Sequence, residues 1–288
     1  MMATEVLNGI NSCNGHQEER FSLSKALQSA NKLLIHGGNI SQWNRTKRKT
    51  TPNPSDELCE SMTTTLSNCL PVDNNNVENE THSKTVRSVN NCFVEKINKE
   101  ERVHLKISAK IFAIDLHPSL VKDALFRAMC ELGVDSIESF IISRAKQEHV
   151  TSEDHFEGLQ QLWEEMEELY DCGYVKTLGS CDLDKETLEK LFNWARIKPE
   201  INQVNLASCC VIPKDLVAYC KTNDIQLLTH ADPQEILTDD RLQQIITDIA
   251  EDKKVQGWEP TWVLRYSVLV KCRGVIKNKA YIVKCERH

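Results

Sequence analysis

The sequence predicts an α/β fold in which parallel strands alternate with crossover helices. The stretch from Val175 to Pro233, VKTLGSCDLDKETLEKLFNWARIKPEINQVNLASCCVIPKDLVAYCKTNDIQLLTHADP, carries this prediction. Short apolar runs there alternate with amphipathic helical patterns at the spacing of consecutive βα units. Length agrees, because 288 residues bury one large core and an α/β barrel commonly fills a single domain of about 250 residues. So does composition. A hydrophobic content of 40% and a charged content of 27% are those of a soluble globular protein.

Residues 1 to 20 are polar and are expected to be a disordered tail ahead of one domain over 21–288. Ser24 to Ile35 has helical spacing (Ala26, Leu27, Ala30, Leu33, Leu34), and Gly37-Gly38-Asn39 marks a turn. Arg45, Lys47, Arg48 and Lys49 form a basic cluster, read as a solvated loop in preference to a nuclear-import signal. From Thr50 to Asn91 the chain is rich in Asn, Ser and Thr, and its low hydrophobicity predicts a flexible surface insertion. Order returns at Phe93. His104 to Ile114 alternates like a strand, Pro118 to Leu132 reads as a helix with proline near its start, and Ile137 to Ile142 is an apolar strand.

Phe156 to Tyr170 is an acidic amphipathic helix that turns Leu159, Leu162, Trp163 and Met166 inward. Val175 to Gly179 is a strand, and Asp182 or Asp184 caps the helix after it. Gln203 to Ala207 is the next strand, Pro213 to Cys220 a helix, and Ile225 to Thr229 a third strand. Arg241 to Ala250 and Thr261 to Cys272 are read as further helices, with Val275-Ile276 a short last strand. Six strands emerge. A closed eight-stranded barrel requires two more from the N-terminal third.

Net charge is −7, which argues against a nucleic-acid footprint. No apolar run approaches the roughly 18 residues needed to span a bilayer, and the first 20 residues carry no signal-peptide core. The twelve cysteines are too sparse for a disulfide-stapled scaffold and none forms a C-x-x-C pair, so reduced thiols in the cytoplasm are expected. The sequons at Asn44 and Asn79 are read as chance matches. No phosphate loop, H-E-x-x-H, G-x-S-x-G or paired-histidine metal motif occurs. Among nine dispersed histidines, His230 stands out because it ends a strand; a structural histidine is the plainer reading.

The wording of the βα units resembles the second half of the aldo/keto reductases. Leu178-Gly179 followed by a polar cap is similar to that family's strand-five turn, and Asn202-Gln203-Val204-Asn205 to its strand-six signature. Ile97 with Glu100-Glu101-Arg102, Ser108-Ala109-Lys110, Asp182 to Lys185, Asn202 to Cys210, Trp262 to Tyr266 and Arg273-Gly274 resemble one divergent branch, the regulatory (modifier) subunits of glutamate–cysteine ligase. The resemblance covers roughly residues 95 to 288. It implies a degenerate (β/α)8 TIM-type barrel.

Aldo/keto reductases protonate the carbonyl oxygen with a tyrosine that a lysine activates, while a histidine orients the substrate. By resemblance Lys110 is that lysine. Ser143 stands where the histidine belongs, and the tyrosine should precede Lys110, yet the first in the chain is Tyr170. Loss of general acid catalysis alone costs about 10²–10⁴ in rate, so the resemblance implies vestigial positions and no catalysis. Gln203 matches the nicotinamide-contacting glutamine, whereas Cys181 and Asp182 replace the serine and asparagine that hold the carboxamide. Only nine residues follow Lys279, so a C-terminal clamp on the adenosine 2′-phosphate is expected to be missing. No cofactor is required on this reading, although residual NADPH binding is compatible with it.

The pair Cys209-Cys210 has two readings, two buried small hydrophobes or surface thiols able to exchange with a partner's thiol. Cys272, between Lys271 and Arg273, has the neighbours that favour a thiolate, and a packed last-turn residue is the preferred alternative. The resemblance implies a non-catalytic subunit that binds the ligase catalytic subunit, possessing redox-sensitive linkage, better glutamate use and weaker feedback by glutathione. The expected contact surface includes Cys209-Cys210 and exposed apolar area near Trp258 and Trp262. The alternatives are a divergent NADPH-dependent reductase and a dinucleotide-sensing module.

Overall fold

A computed structural model describes residues 23–41, 53–68, 72–73, 84–90, 93–115, 117–144, 152–206 and 211–287. The expected N-terminal tail, the basic cluster at 45–49, both sequons and Cys209-Cys210 lie outside the described residues. Five strands form the parallel part expected from the sequence: β4 (Leu105–Ala113), β5 (Ile137–Arg144), β6 (Val175–Cys181), β7 (Ile201–Asn205) and β8 (Gln226–His230). Helices α3 (Ser119–Leu132), α4 (Ser152–Asp171), α5 (Lys185–Trp194) and α6 (Lys214–Thr222) make the crossovers between them. The α/β class is that anticipated, with parallel strands alternating with crossover helices.

Two local features sharpen the strand ends. Gly179 sits where a Cβ would come within 3.0 Å of both Ile141 and Ile201, so β5, β6 and β7 pack closely only because it has none. Of the two candidate caps, Asp184 is the one used: its side chain accepts from Thr187 N at 2.8 Å. That frees Asp182, which takes φ +57, a left-handed conformation that aspartate tolerates better than most residues.

The remainder is not a continued parallel repeat. β9 (Trp258–Val270) and β10 (Val275–Arg287) form a long antiparallel hairpin, and with β1 (Lys32–His36), β2 (Val72–Asp73) and β3 (Thr85–Val89) the sheet order is β2-β3-β1-β10-β9-β4-β5-β6-β7-β8. Here the helix read over Thr261 to Cys272 is wrong. Trp262, Leu264, Tyr266 and Val268 are all buried at every second position, a strand period, and Val263 is buried as well, which blurs the alternation. The short last strand at Val275-Ile276 is likewise the start of a thirteen-residue strand. Cys272 lies exposed in the turn between the two strands, not in a packed helix.

The N-terminal third supplies β1 (Lys32–His36), β2 (Val72–Asp73) and β3 (Thr85–Val89). Helix occupies only 23–29 of the segment read as helical to Ile35. β1 pairs with β10 antiparallel and with β3 parallel. The insertion expected to be flexible contains helix α1 (Pro54–Asn68), whose Leu58, Met62 and Leu66 are buried. Its other face is polar, which is why composition alone reads as a loop. These side chains join Leu242, Ile246 and Trp258 in one core, with Leu242 and Ile246 contributed by α7 (Asp239–Ala250); Phe140, Trp163, Trp262 and Tyr266 fill a second core against α3 and α4. Trp258 and Trp262 are 1% and 0% exposed, so they offer no surface to a partner. Among the described residues no helix is long and apolar enough to cross a membrane.

Met62→Ala tests the packing of α1. Truncating a core methionine costs about 2–5 kcal/mol, to be read as a drop in the urea midpoint, whereas an unpacked segment would change stability by less than about 0.5 kcal/mol.

Candidate functional site

The C-terminal ends of β5 to β8 converge on a cavity of about 340 Å³ lined by Ser143, Ser180, Cys181, Asp182, His230 and Asp232 among others. Parallel sheets bind ligands at this edge because the strand ends and their loops meet there. Lys110 projects from β4 and is 4% exposed. Its Nζ lies 2.8 Å from Asp232 Oδ2 and 3.0 Å from Cys181 Sγ. Arg265, from β9, donates through Nη2 to Asp232 Oδ2 at 2.9 Å and through Nη1 to Oδ1. Both cations also lie against the Phe112 ring, at 4.9 and 5.5 Å from its centroid.

His230 completes the group. Its Nδ1 is 3.2 Å from Asp232 Oδ2, and its Nε2 is 3.1 Å from Asp182 Oδ1 and 3.2 Å from Cys181 Sγ. Asp182 Oδ1 also accepts from Asn205 N at 2.8 Å, and Asp182 N donates to Gln203 O at 2.7 Å, so this residue clips β6 to β7. Burial alone would lower the His230 pKa; hydrogen bonds to Asp182, Asp232 and Cys181 outweigh it and push it up to about 10. Burial would raise the Asp232 carboxyl, but His230, Arg265 and Lys110 hold it well below the usual carboxylate range. Asp182 is lowered in the same way, its burial outweighed by His230, Cys181 and the Asn205 amide.

The sequence-derived residues are thus partly assembled. Lys110, Cys181, Asp182 and His230 share one cluster and Ser143 lines its cavity, while Gln203 does not. Gln203 Oε1 is buried without a hydrogen-bond partner. Asp232 and Arg265 were not anticipated. A charged residue inside the apolar run from Trp262 to Val270 is the available signal, because such a charge demands a buried counter-ion.

The two fully buried phenols are engaged elsewhere: Tyr266 donates to Glu131 at 2.7 Å and Tyr281 to Glu57 at 2.9 Å. Burial pushes the pKa of both upward. A nicotinamide dinucleotide does not fit this arrangement well. Lys110 is neutralised by Asp232, the assigned glutamine is off the cavity wall, and the exposed Asp182 carboxylate opposes an anionic ligand. Cys181, Asp182 and His230 also bring three donor atoms within 4.8 Å of one another. With His230 protonated and an ammonium beside the sulfur, they favour a proton-sharing network over a cation site.

Residues 82–233 match the aldo/keto reductase family. A Homo sapiens protein described as glutamate–cysteine ligase regulatory subunit is 40% identical over 262 residues, covering 91% of this chain and 95% of that one. The chain belongs to the glutamate–cysteine ligase regulatory subunit family. Within the wider aldo/keto reductases, NADPH-dependent codeinone reductase 1-3 of Papaver somniferum is 27% identical over 144 residues, 46% of this chain and 43% of that one. The solved aldo/keto reductase MGS-M4 from a deep-sea metagenome library shares 26% identity at a TM-score of 0.37, over 46% of this chain and 44% of that one.

Two outcomes follow from the cluster. Asp232→Ala leaves three cations without their shared carboxylate and costs about 3–5 kcal/mol, the range for breaking a buried ion pair, measured by urea unfolding. The folded chain keeps the His230 proton up to about pH 10, whereas an unfolded histidine loses it near 6.5. This stabilisation is therefore complete below pH 6.5 and is lost as pH rises through 10. His230→Gln should flatten that part of the stability–pH curve.

Proposed function

We propose that this chain is the non-catalytic regulatory subunit of glutamate–cysteine ligase. It binds the catalytic subunit, improves its use of glutamate and relieves feedback inhibition by glutathione. The observation that carries this reading is near full-length similarity to proteins described as that subunit, 91% of this chain against 95% of the Homo sapiens protein. The geometry supports the absence of reductase chemistry. Ser143 stands in place of the orienting histidine, Lys110 is tied to Asp232, and the buried phenols donate to Glu131 and Glu57.

For the chain to act this way, it must bind best to the state of its partner with high glutamate affinity; the coupling is reciprocal and of about 1–3 kcal/mol. The reading places the protein in the cytoplasm, which agrees with the seven described cysteines all being unpaired. Covalent linkage to the partner through Cys209 or Cys210 is part of the proposal, with Cys272 as an exposed alternative at the hairpin turn.

Synthesis of γ-glutamylcysteine by the catalytic subunit, with and without this chain, tests the reading. The apparent Michaelis constant for glutamate should fall by about 5-fold or more, and added glutathione should inhibit less. No change at saturating excess of folded chain would contradict it. On non-reducing gels, Cys209→Ser combined with Cys210→Ser should remove the linked heterodimer; an undiminished band would move the linkage to another thiol.

A further inference from the structure

Cys181 is the cavity's one nucleophilic side chain among the described lining residues with an ammonium, an imidazole and a carboxylate all in contact. Its Sγ has Lys110 Nζ at 3.0 Å and His230 Nε2 at 3.2 Å, and the thiol donates to Asp182 Oδ2 at 3.2 Å. Behind His230, Asp232 holds the ring from its Nδ1 side at 3.2 Å. An ammonium and a protonated imidazole held by a carboxylate thus stand against one thiol, the kind of electropositive setting that activates a cysteine nucleophile. The reductase reading leaves it unused.

Charge balance points the same way. Lys110, His230 and Arg265 bring three positive charges, and Asp182 and Asp232 bring two negative ones. The cluster thus carries a net positive charge, and two of its cationic donors, Lys110 Nζ and His230 Nε2, are directed at the Cys181 sulfur. Such neighbours favour reactivity; Cys181, 6% exposed, has them at the cavity wall, whereas Cys285 is wholly buried and burial pushes its pKa up.

We propose that Cys181 is a reactive thiol site that takes a small disulfide carrying ammonium groups, of the cystamine or cystine class, and forms a mixed disulfide with it. The cavity of about 340 Å³ admits a small molecule. Its wall carries the exposed carboxylates of Asp182 and Asp184, which attract an ammonium and repel an acidic disulfide. The wall's guanidinium, Arg144, is turned onto the His155 carbonyl.

In the step, the Cys181 thiol gives its proton to water and its sulfur attacks one sulfur of the disulfide; a new S–S bond forms and the old one breaks. The other half leaves as a thiolate, which takes a proton from water. The protein thiol is oxidised and half of the small disulfide is reduced. A reducing thiol reverses the exchange. Nothing in this step depends on the partner assigned above, so it is tested on the chain alone.

The pre-reduced full chain is incubated with cystamine or with dithiodiglycolate, a doubly acidic disulfide of similar size, and adducts are located by peptide mass spectrometry. Cys181 should be modified by cystamine about tenfold faster than by dithiodiglycolate, more selectively than the exposed Cys130, Cys172 and Cys272. Dithiothreitol should remove the adduct. Asp182→Asn keeps a residue that tolerates φ +57 and should narrow the preference at Cys181. Modification of the three exposed thiols with Cys181 untouched would overturn the proposal, and so would equal rates with the two disulfides.

Discussion

The carboxylate of Asp232 is the interaction on which the architecture turns. It binds a lysine from β4, a histidine from the end of β8 and an arginine from β9. Those strands belong to different parts of the sheet: β4 and β8 bound the parallel part, and β9 begins the antiparallel hairpin that joins it to the N-terminal third. A buried ion network of this kind adds little net stability against an apolar core, but removing one member leaves the others uncompensated. Its main effect is to tie the end of β8 to β4 and β9, which run side by side in the sheet.

The same network determines the chemistry open to the fold. A reductase needs a phenol within reach of its lysine as the proton donor and a cavity receptive to an anionic dinucleotide. Here the lysine is paired with a carboxylate and a sulfur, the buried phenols donate to glutamates, and an exposed carboxylate stands at the cavity wall. The βα units persist, and the residues at their strand ends form a cluster of three cations and two carboxylates around a thiol.

Much of this was legible in the sequence where the signal is local. The βα rhythm from Val175 to Pro233 becomes β6 to β8 with their helices, and Lys110, Cys181, Asp182 and His230 do meet in one place. Failures arose where burial is two-sided or composition misleads. In β9, apolar residues on both faces hid the period of two. In Pro54–Asn68, three buried apolar side chains on a polar helix were outweighed by Ser and Thr. The pairing of Asp232 with Arg265 spans 33 residues, and no local pattern announces a contact of that reach.

The function proposed above leaves no hydride chemistry to this ion network. Following NADPH oxidation across a panel of aldehydes and ketones, for the native chain beside Lys110→Met, tests it directly. The account predicts the same background rate for both proteins. Turnover by the native chain that vanishes in Lys110→Met would show that the lysine still serves catalysis and would contradict it.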